Sequence, residues 1–424
     1  MRKSRLIKLV FTIVLVAAVG LVLTACQEDN GKKDSETSSQ TESGITGPER
    51  VSPDIYSAVP VITVDKQGNP HLISYETTNE DLLYSTKTSG DWMTETVDQE
   101  GNVGDGHDIA LDKNGNPHIS YRDITNGSVK YAKKENGDWQ TETVDTPPVG
   151  DRIEATSIEI DADGNPHIAY SISLAGEFKY ASWNGSDWDI ESPGIDGQFV
   201  NLALDSSGNP HIAAISESAQ PHLKYVKMTG SVWEEEIVDE ATVVRYDPFI
   251  QLDDNDNPHI AYRNAPTRET TNSVKYASWN GTDWDLDVVK EKEASISEGS
   301  QMGFSMIDSM PYIVFAQPGE GLLLATMSGG SWTFEDVGPA SVCTIAVDNM
   351  DKSHIAYTDA GSGQVKGVVD TPADEDVDDE GGTPVDTPKE NGEVTNTEGD
   401  DGSGEVVEDG PIEDEEVVMY VLVN

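Results

Sequence analysis

Six histidines of this chain stand at one repeated place: His71, His118, His167, His211, His259 and His354. Each follows an aspartate by six residues: Asp65, Asp112, Asp161, Asp205, Asp253 and Asp348. Imidazole and carboxylate are metal ligands and general acid–base groups, so a metal centre or a catalytic set is the first chemistry to weigh. The spacing decides against both. The pair sits once in a unit that repeats along the chain, as from Asp65 to Asp112, a step of 47 residues. Equivalent positions in stacked units lie apart from one another, one per unit, and cannot converge on one ion. Along its strand the histidine shares a face, in five of the six copies, with a small Ser or Ala two residues on, while Ile and Tyr point the other way. These histidines are expected to pack between units and to bond a neighbouring backbone or the repeated aspartate. Trp92, Trp139, Trp188, Trp233, Trp284 and Trp332 recur in the same manner and are expected to pack rather than to bind ligand. Asp161-Ala-Asp-Gly-Asn165 and Asp253-Asp-Asn-Asp-Asn257 crowd oxygen atoms as a calcium loop does. Other copies of the turn carry Lys, Gln or Ser in those places, so no cofactor is expected, with calcium as the alternative.

The unit that positions these residues is clearest between 108 and 144. Asp108-Ile-Ala-Leu-Asp112 alternates apolar and polar residues, the period of a strand. Lys-Asn-Gly-Asn is a tight-turn signal, and Pro117 then opens a second strand at one of the few strand positions proline tolerates. Val129-Lys-Tyr-Ala132 and Trp139-Gln-Thr-Glu-Thr-Val144 supply a third and a fourth. One such sheet cannot bury both of its faces, so its neighbours must. The prediction is an all-β chain: a seven-bladed β-propeller of four-stranded antiparallel blades over 48–368. The worn copy Asp308-Ser-Met-Pro-Tyr-Ile-Val-Phe315 counts as one blade. The seventh hairpin is followed by Gln364-Val-Lys-Gly-Val368 and by no further Trp. An N-terminal strand at Glu49-Arg-Val51 is therefore expected to complete blade 7 and close the ring.

The turns Ser182-Trp-Asn-Gly-Ser-Asp-Trp188 and Ser278-Trp-Asn-Gly-Thr-Asp-Trp284 resemble the Asp-box turns of sialidase-type propellers, one residue shorter and with Asn where those have Asp. The whole 48–368 region is similar to bacterial secreted propellers built on PHIxY-type repeats, grouped loosely with the sialidase-like (BNR) proteins. That resemblance implies the fold, and turns that are structural. Sialidase-like enzymes hold a substrate carboxylate in an arginine cluster, with Tyr, Glu and Asp for the chemistry. Carried over, this would draw on Arg122, Arg152, Arg245 and Arg263, and on Tyr246 with Glu154 or Glu217. No catalytic motif accompanies them.

The N-terminus sets the address. Arg2, Lys3, Arg5 and Lys8 precede an apolar run ending in Leu23-Thr-Ala-Cys26, the layout of an export signal. The ending resembles the lipobox of bacterial lipoproteins, which implies lipid on Cys26 and cleavage before it. The expected division is a signal peptide (1–25), a flexible tether (26–47), the propeller (48–368) and an acidic disordered tail (369–424), whose apolar end, Val417-Val-Met-Tyr-Val-Leu-Val423, could pair with a sheet edge or a partner. The location is then the cell membrane or the outer membrane, facing away from the cytoplasm. The second cysteine, Cys343, begins an apolar strand and reads as a small buried residue. A formal charge of −51 repels phosphate backbones and excludes nucleic acid as a partner.

In a four-stranded blade the repeated turns lie on one side of the disc, and the second-to-third loops and interblade links on the other. Varied loops carry function more often than repeated ones, so a ligand is expected on the loop side. The candidates there are His107, Arg122, Asp123, Arg152, His222, Arg245, Tyr246 and Arg263. The expected function is non-catalytic binding of a glycan or protein by a membrane-tethered monomer. The alternative is a sialidase-like glycoside hydrolase.

Overall fold

The computed structural model describes residues 49–51, 60–88, 90–173, 175–240, 243–244, 248–264, 273–291, 302–317, 321–338, 340, 342–359 and 418–423. The chain divides into two compact units, Met1–Glu42 and Ser43–Asn424. The first, with the expected signal segment and Cys26, lies outside the described residues, as do most of the expected tether and residues 360–417. No helix among the described residues is long and apolar enough to cross a membrane.

The described chain is all β, in four-stranded antiparallel sheets. Six blades each use four consecutive strands: blade 1 (61–98), blade 2 (103–145), blade 3 (153–191), blade 4 (198–239), blade 5 (249–291) and blade 6 (302–338). The expectation of seven like blades is corrected at the last one. The remaining sheet is a composite of Val342–Val347, Ser353–Asp359, the C-terminal Val418–Val423 and the N-terminal Glu49–Arg50, in that spatial order. The N-terminal strand takes the outer position foreseen for it. The third position goes to Val418–Val423, while Gln364–Val368 lies outside the described residues. The end of the expected disordered tail is thus a strand.

Each hairpin turn is built on its aspartate. Asp112 Oδ1 accepts the backbone N–H of Asn114 and Asn116 at 2.8 and 2.9 Å, and Oδ2 accepts Asn116 Nδ2 at 2.8 Å. The fourth turn residue has positive φ, a conformation glycine reaches without strain, as at Gly115. Burial works to raise the Asp112 pKa, but these hydrogen bonds outweigh it and hold the carboxyl below its usual range. With its oxygens turned onto its own backbone, the turn is a structural motif.

The histidines bond within their own sheets. Nε2 faces the turn aspartate, at 3.1 Å in His354–Asp348 and 3.7 Å in His71–Asp65. The larger contact is one that strand alternation did not predict. Nδ1 meets the hydroxyl of the third-strand tyrosine, at 2.5 Å in His118–Tyr131, His71–Tyr84, His211–Tyr225 and His259–Tyr276. That tyrosine in turn packs edge-on against the tryptophan of the next blade. The ring centroids are 5.2 Å apart in Tyr84–Trp139, 5.4 Å in Tyr131–Trp188 and 5.3 Å in Tyr225–Trp284. Such pairs contribute roughly 0.5–1.5 kcal/mol each beyond area burial. Where the indole bonds at all, it reaches back to the blade before: Trp188 to Glu142, Trp233 to Glu191, Trp284 to Glu236.

A second contact joins the blades on the loop side. The aspartate ending one blade accepts the tyrosine hydroxyl and the lysine of the next. Tyr121 reaches Asp98 at 2.7 Å, beside Lys130. Tyr170 and Lys179 reach Asp145 at 2.6 and 3.0 Å, and Tyr262 and Lys275 both reach Asp239 at 2.7 Å. Blade 4 has Ala214 in the tyrosine's place, and there Lys224 bonds Asp196 at 2.6 Å. In blade 1 an extra residue, Leu72, shifts Tyr75 by one, so Ser74 falls at the latch position and Tyr75 on the opposite face.

Tyr262→Phe removes one such hydroxyl from a buried carboxylate and should cost about 1–3 kcal/mol. Tyr75→Phe, which loses only a bond to Asn102, should cost less. Thermal unfolding of the two variants checks this; equal losses would remove the special standing of the interblade contact.

Candidate ligand site at the loop-side mouth of the channel

The first strands of the seven sheets surround a central cavity of about 330 Å³, lined by Thr63, Asp108, Glu159, Asn201, Gln251, Ser305 and Thr344 among others. An innermost strand has no sheet neighbour on its channel edge, so its backbone N–H groups need other partners. Side chains from the preceding blade supply them. Asp108 Oδ2 accepts Ile158 N at 3.0 Å and the Ser157 hydroxyl at 2.9 Å. Ser157 Oγ accepts Leu202 N at 3.1 Å, and Asn201 Oδ1 accepts Ile250 N at 2.8 Å. Burial pushes Asp108 up to about 6, against the hydrogen bonds that favour its ionised form. Burial, with Asp108 nearby, pushes Glu159 up to about 8.

On the loop side, the first strands of blades 2, 3 and 4 enter the disc through register irregularities. These fall between Val103 and Asp108, Ile153 and Thr156, and Gln198 and Asn201. Bulges of this kind re-aim side chains beside binding sites. In blade 2 glycines make the entry possible. A Cβ on Gly104 would lie 2.7 Å from Leu82 Cβ, and one on Gly106 would lie 2.6 Å from Arg122 Cδ. The blade 4 entry holds Phe199 at φ 51°, strained for an aromatic residue.

Arg122 lies across the boundary of blades 2 and 3. Its guanidinium donates to Asp105 at 2.8 Å and to the Glu154 carbonyl at 3.3 Å. Burial raises the pKa of the Glu154 carboxyl, Arg122 opposes the shift, and Glu217 of blade 4 adds to it. Glu154 Oε2 is buried without a hydrogen-bond partner. Glu217 lies against Gly176, its backbone N–H bonded to Asp196 Oδ2 at 2.8 Å. The mouth at blades 2–4 therefore carries the Arg122 guanidinium among carboxylates, one of which, Glu154, has an oxygen free to accept, suited to a ligand rich in hydroxyl or amine donors.

Of the eight ligand candidates foreseen, Arg122 belongs to this group, together with Glu154 and Glu217, which the sialidase-like alternative had named. His107 turns inward, buried, with Nδ1 2.5 Å from the Gly104 carbonyl. Asp123 caps its own loop by accepting Asn126 N and Nδ2. Arg152 is exposed on the link between blades 2 and 3. His222 closes the blade 4 loop through backbone bonds with Ser216, its Nδ1 buried and without a partner. Arg263 occupies the position of Arg122, but in blade 5, and is 1% exposed, near enough to Cys343 to bias its thiol. Burial pushes that thiol up to about 12. Arg245 and Tyr246 lie outside the described residues. The arginines do not gather at one point among the described residues. Asp105 and Glu159 were not foreseen as site residues. Glu159 had a signal, being the only charge where the other first strands carry Thr63, Ala110, Ala203, Gln251, Ser305 and Ala346. No group of three or more His, Cys, Asp or Glu suited to a metal ion occurs among the described residues.

No protein-family model matches the chain, and no curated protein does. Solved structures share its propeller architecture. Arthrobotrys oligospora AofleA is 12% identical with a TM-score of 0.46, over 68% of this chain and 87% of that one. The fucose-specific lectin of Aleuria aurantia is 13% identical with a TM-score of 0.45, over 68% and 98%. An ulvan lyase, described as a new family of polysaccharide lyase, is 14% identical with a TM-score of 0.49, over 74% and 92%. These likenesses are loose, and no residue role is carried over from them.

The channel carboxylates give a pH prediction. A carboxyl whose folded pKa lies above its unfolded value destabilises the fold as pH rises past the unfolded value, 4.5 for Glu159, and the cost levels off above about 8. Glu159→Gln should thus stabilise the protein by about 1–2 kcal/mol at about pH 9, allowing for screening by channel water, and by nothing at about pH 4.5. Melting curves across that range check it; a gain independent of pH would contradict it.

Proposed function

We propose that this chain is a lipid-anchored extracytoplasmic binding protein whose propeller takes a glycan at its loop-side mouth and does not turn it over. The observation that carries the reading is the row Asp105, Arg122, Glu154 and Glu217, with a buried carboxylate oxygen left unbonded beside a held guanidinium. Glycan hydroxyls donate to carboxylates and accept from guanidinium, and a cradle built on strand entries is preorganised for them. A protein ligand presenting amines and hydroxyls has the same complementarity and is the second occupant to test.

Lipid attachment at Cys26 accounts for the basic N-terminus, the apolar run and the Leu-Thr-Ala-Cys ending. In this reading the composite sheet counts as the last blade of a seven-membered ring. Its N-terminal strand Glu49–Arg50 then couples the membrane tether directly to the disc. The protein acts as a monomer, with cofactors unnecessary for binding.

The sialidase-like alternative draws on Glu154, whose pKa burial raises, the direction a general acid needs. Against it stand Arg122 and Arg263, in blades 2 and 5, the latter buried.

A glycan array probed with the exported domain should return binding that Arg122→Ala and Glu154→Gln each weaken about tenfold or more, a loss of about 1.4 kcal/mol. Fluorogenic sialosides should stay intact across the acid to neutral range. Release of fluorophore that depends on Glu154 would replace binding with catalysis, and a blank array with a blank protein pull-down would end the proposal.

A further inference from the structure

Two tryptophans, Trp183 and Trp279, stand outside the repeated set. Each ends the third strand of its blade and pairs across the turn with the repeated Trp188 or Trp284. The two indoles meet nearly edge to face, with centroids 5.5 Å apart at 66° in blade 3 and 5.6 Å apart at 65° in blade 5. The turn that fixes them is made the same way in both blades. Asn184 Oδ1 accepts the backbone N–H of Ser186 and Asp187 at 3.0 and 3.1 Å, and its Nδ2 donates to Asp189 at 3.0 Å. Asn280 does the same with Thr282, Asp283 and Asp285. Both added tryptophans are half-buried, so each pair presents an aromatic corner at the surface.

The boundary of blades 1 and 2 shows what fits against such rings. The residue paired with the repeated tryptophan is Lys134 in blade 2, Met228 in blade 4 and Met327 in blade 6. The Lys134 ammonium lies over the rings of Trp139 and Tyr84, 5.7 and 5.5 Å from their centroids, and is bonded to Glu95 of the preceding blade. Blades 3 and 5 keep these surroundings and lose the ammonium. Glu95 pairs with Tyr84 in its sheet, and Glu142 and Glu236 hold the same place beside Tyr131 and Tyr225. A tryptophan stands where the lysine would be, so an aromatic wall is gained and a cation is lost. Among the described residues no cation lies over either indole pair.

We propose that the corners Trp183–Trp188 and Trp279–Trp284 are two equivalent sites for an external methylated ammonium, the trimethylammonium group of a choline-type ligand. A cation over an aromatic face is attracted by the ring quadrupole, most strongly by indole. The formal charge of −51 concentrates cations at the surface of this chain. The state of the carboxylate selects the methylated form. In blade 2 Glu95 takes the lysine, and Trp139 Nε1 is buried without a partner. At the two corners the carboxylate accepts the indole N–H instead, Glu142 from Trp188 at 3.1 Å and Glu236 from Trp284 at 2.8 Å. A trimethylammonium has no N–H to satisfy, so it takes the ring faces and the negative charge without competing for that bond.

Calorimetric titration of the full chain with choline chloride tests the proposal. Two sites of equal affinity are expected, with Kd on the order of 1 mM for ring faces at the surface. The neutral carbon isostere, with tert-butyl in place of trimethylammonium, should bind about tenfold more weakly or worse. Trp183→Met, which copies Met228 and Met327, should leave one site and the melting midpoint unchanged, and adding Trp279→Met should leave none. Trp183→Lys with Trp279→Lys copies Lys134, supplies the ammonium from the chain itself and should also abolish binding. Equal binding of the isostere, or choline binding that survives both double variants, would overturn the proposal. Glycerophosphocholine and a short-chain phosphatidylcholine below its micellar concentration separate a soluble ligand from a lipid. Both should bind as choline does; affinity that requires the acyl chains would overturn the trimethylammonium group as the ligand.

Discussion

Blades 1 to 6 of this protein meet through one or both of two recurring contacts. At the outer rim a tyrosine, its hydroxyl hydrogen-bonded to Nδ1 of its own blade's histidine, offers its ring edge-on to the tryptophan of the next blade. On the loop side an aspartate accepts a buried hydroxyl and an ammonium from the next blade. Each small sheet buries its faces only if its neighbours are held in register, and these contacts hold them. Lys130, Lys179, Lys224 and Lys275 each sit on carboxylates at blade boundaries, where charge pairing is least screened.

That arrangement divides the disc by role. The repeated Asp turn, its histidine and its tryptophan are satisfied by one another, with little left for a ligand. The first strands of blades 2–4 break the repeat, and there the Arg122 guanidinium stands near Glu154, which keeps one carboxylate oxygen unbonded. Departures from a repeat are where a repeat protein can bind something, because the repeated residues are committed to packing.

The blade and its turn were legible because period and alternation act locally. The strand at Glu49–Arg50 was legible as well, since the count of tryptophans fell one short. Other features depend on geometry that spacing does not encode. His118 bonds Tyr131 because the second and third strands pair, and loop lengths between them vary. Tyr75 matches the motif in sequence, yet one inserted residue turns it to the other face. Arg122 and Arg263 occupy the same motif position, but one bridges two blades at the mouth and the other is buried. The apolar C-terminal end was legible as able to pair with a sheet edge, but which edge it takes rests on a pairing across many residues that local pattern does not encode.

The central claim is that the repeats hold the disc and the broken strand entries of blades 2–4 bind. Hydrogen exchange with mass spectrometry, run with and without a glycan captured on the array, tests it directly. The account predicts ligand protection in peptides covering 103–108, 153–156 and 196–201, and none in the turns at 65–69, 112–116 or 253–257. Protection confined to those turns would contradict it.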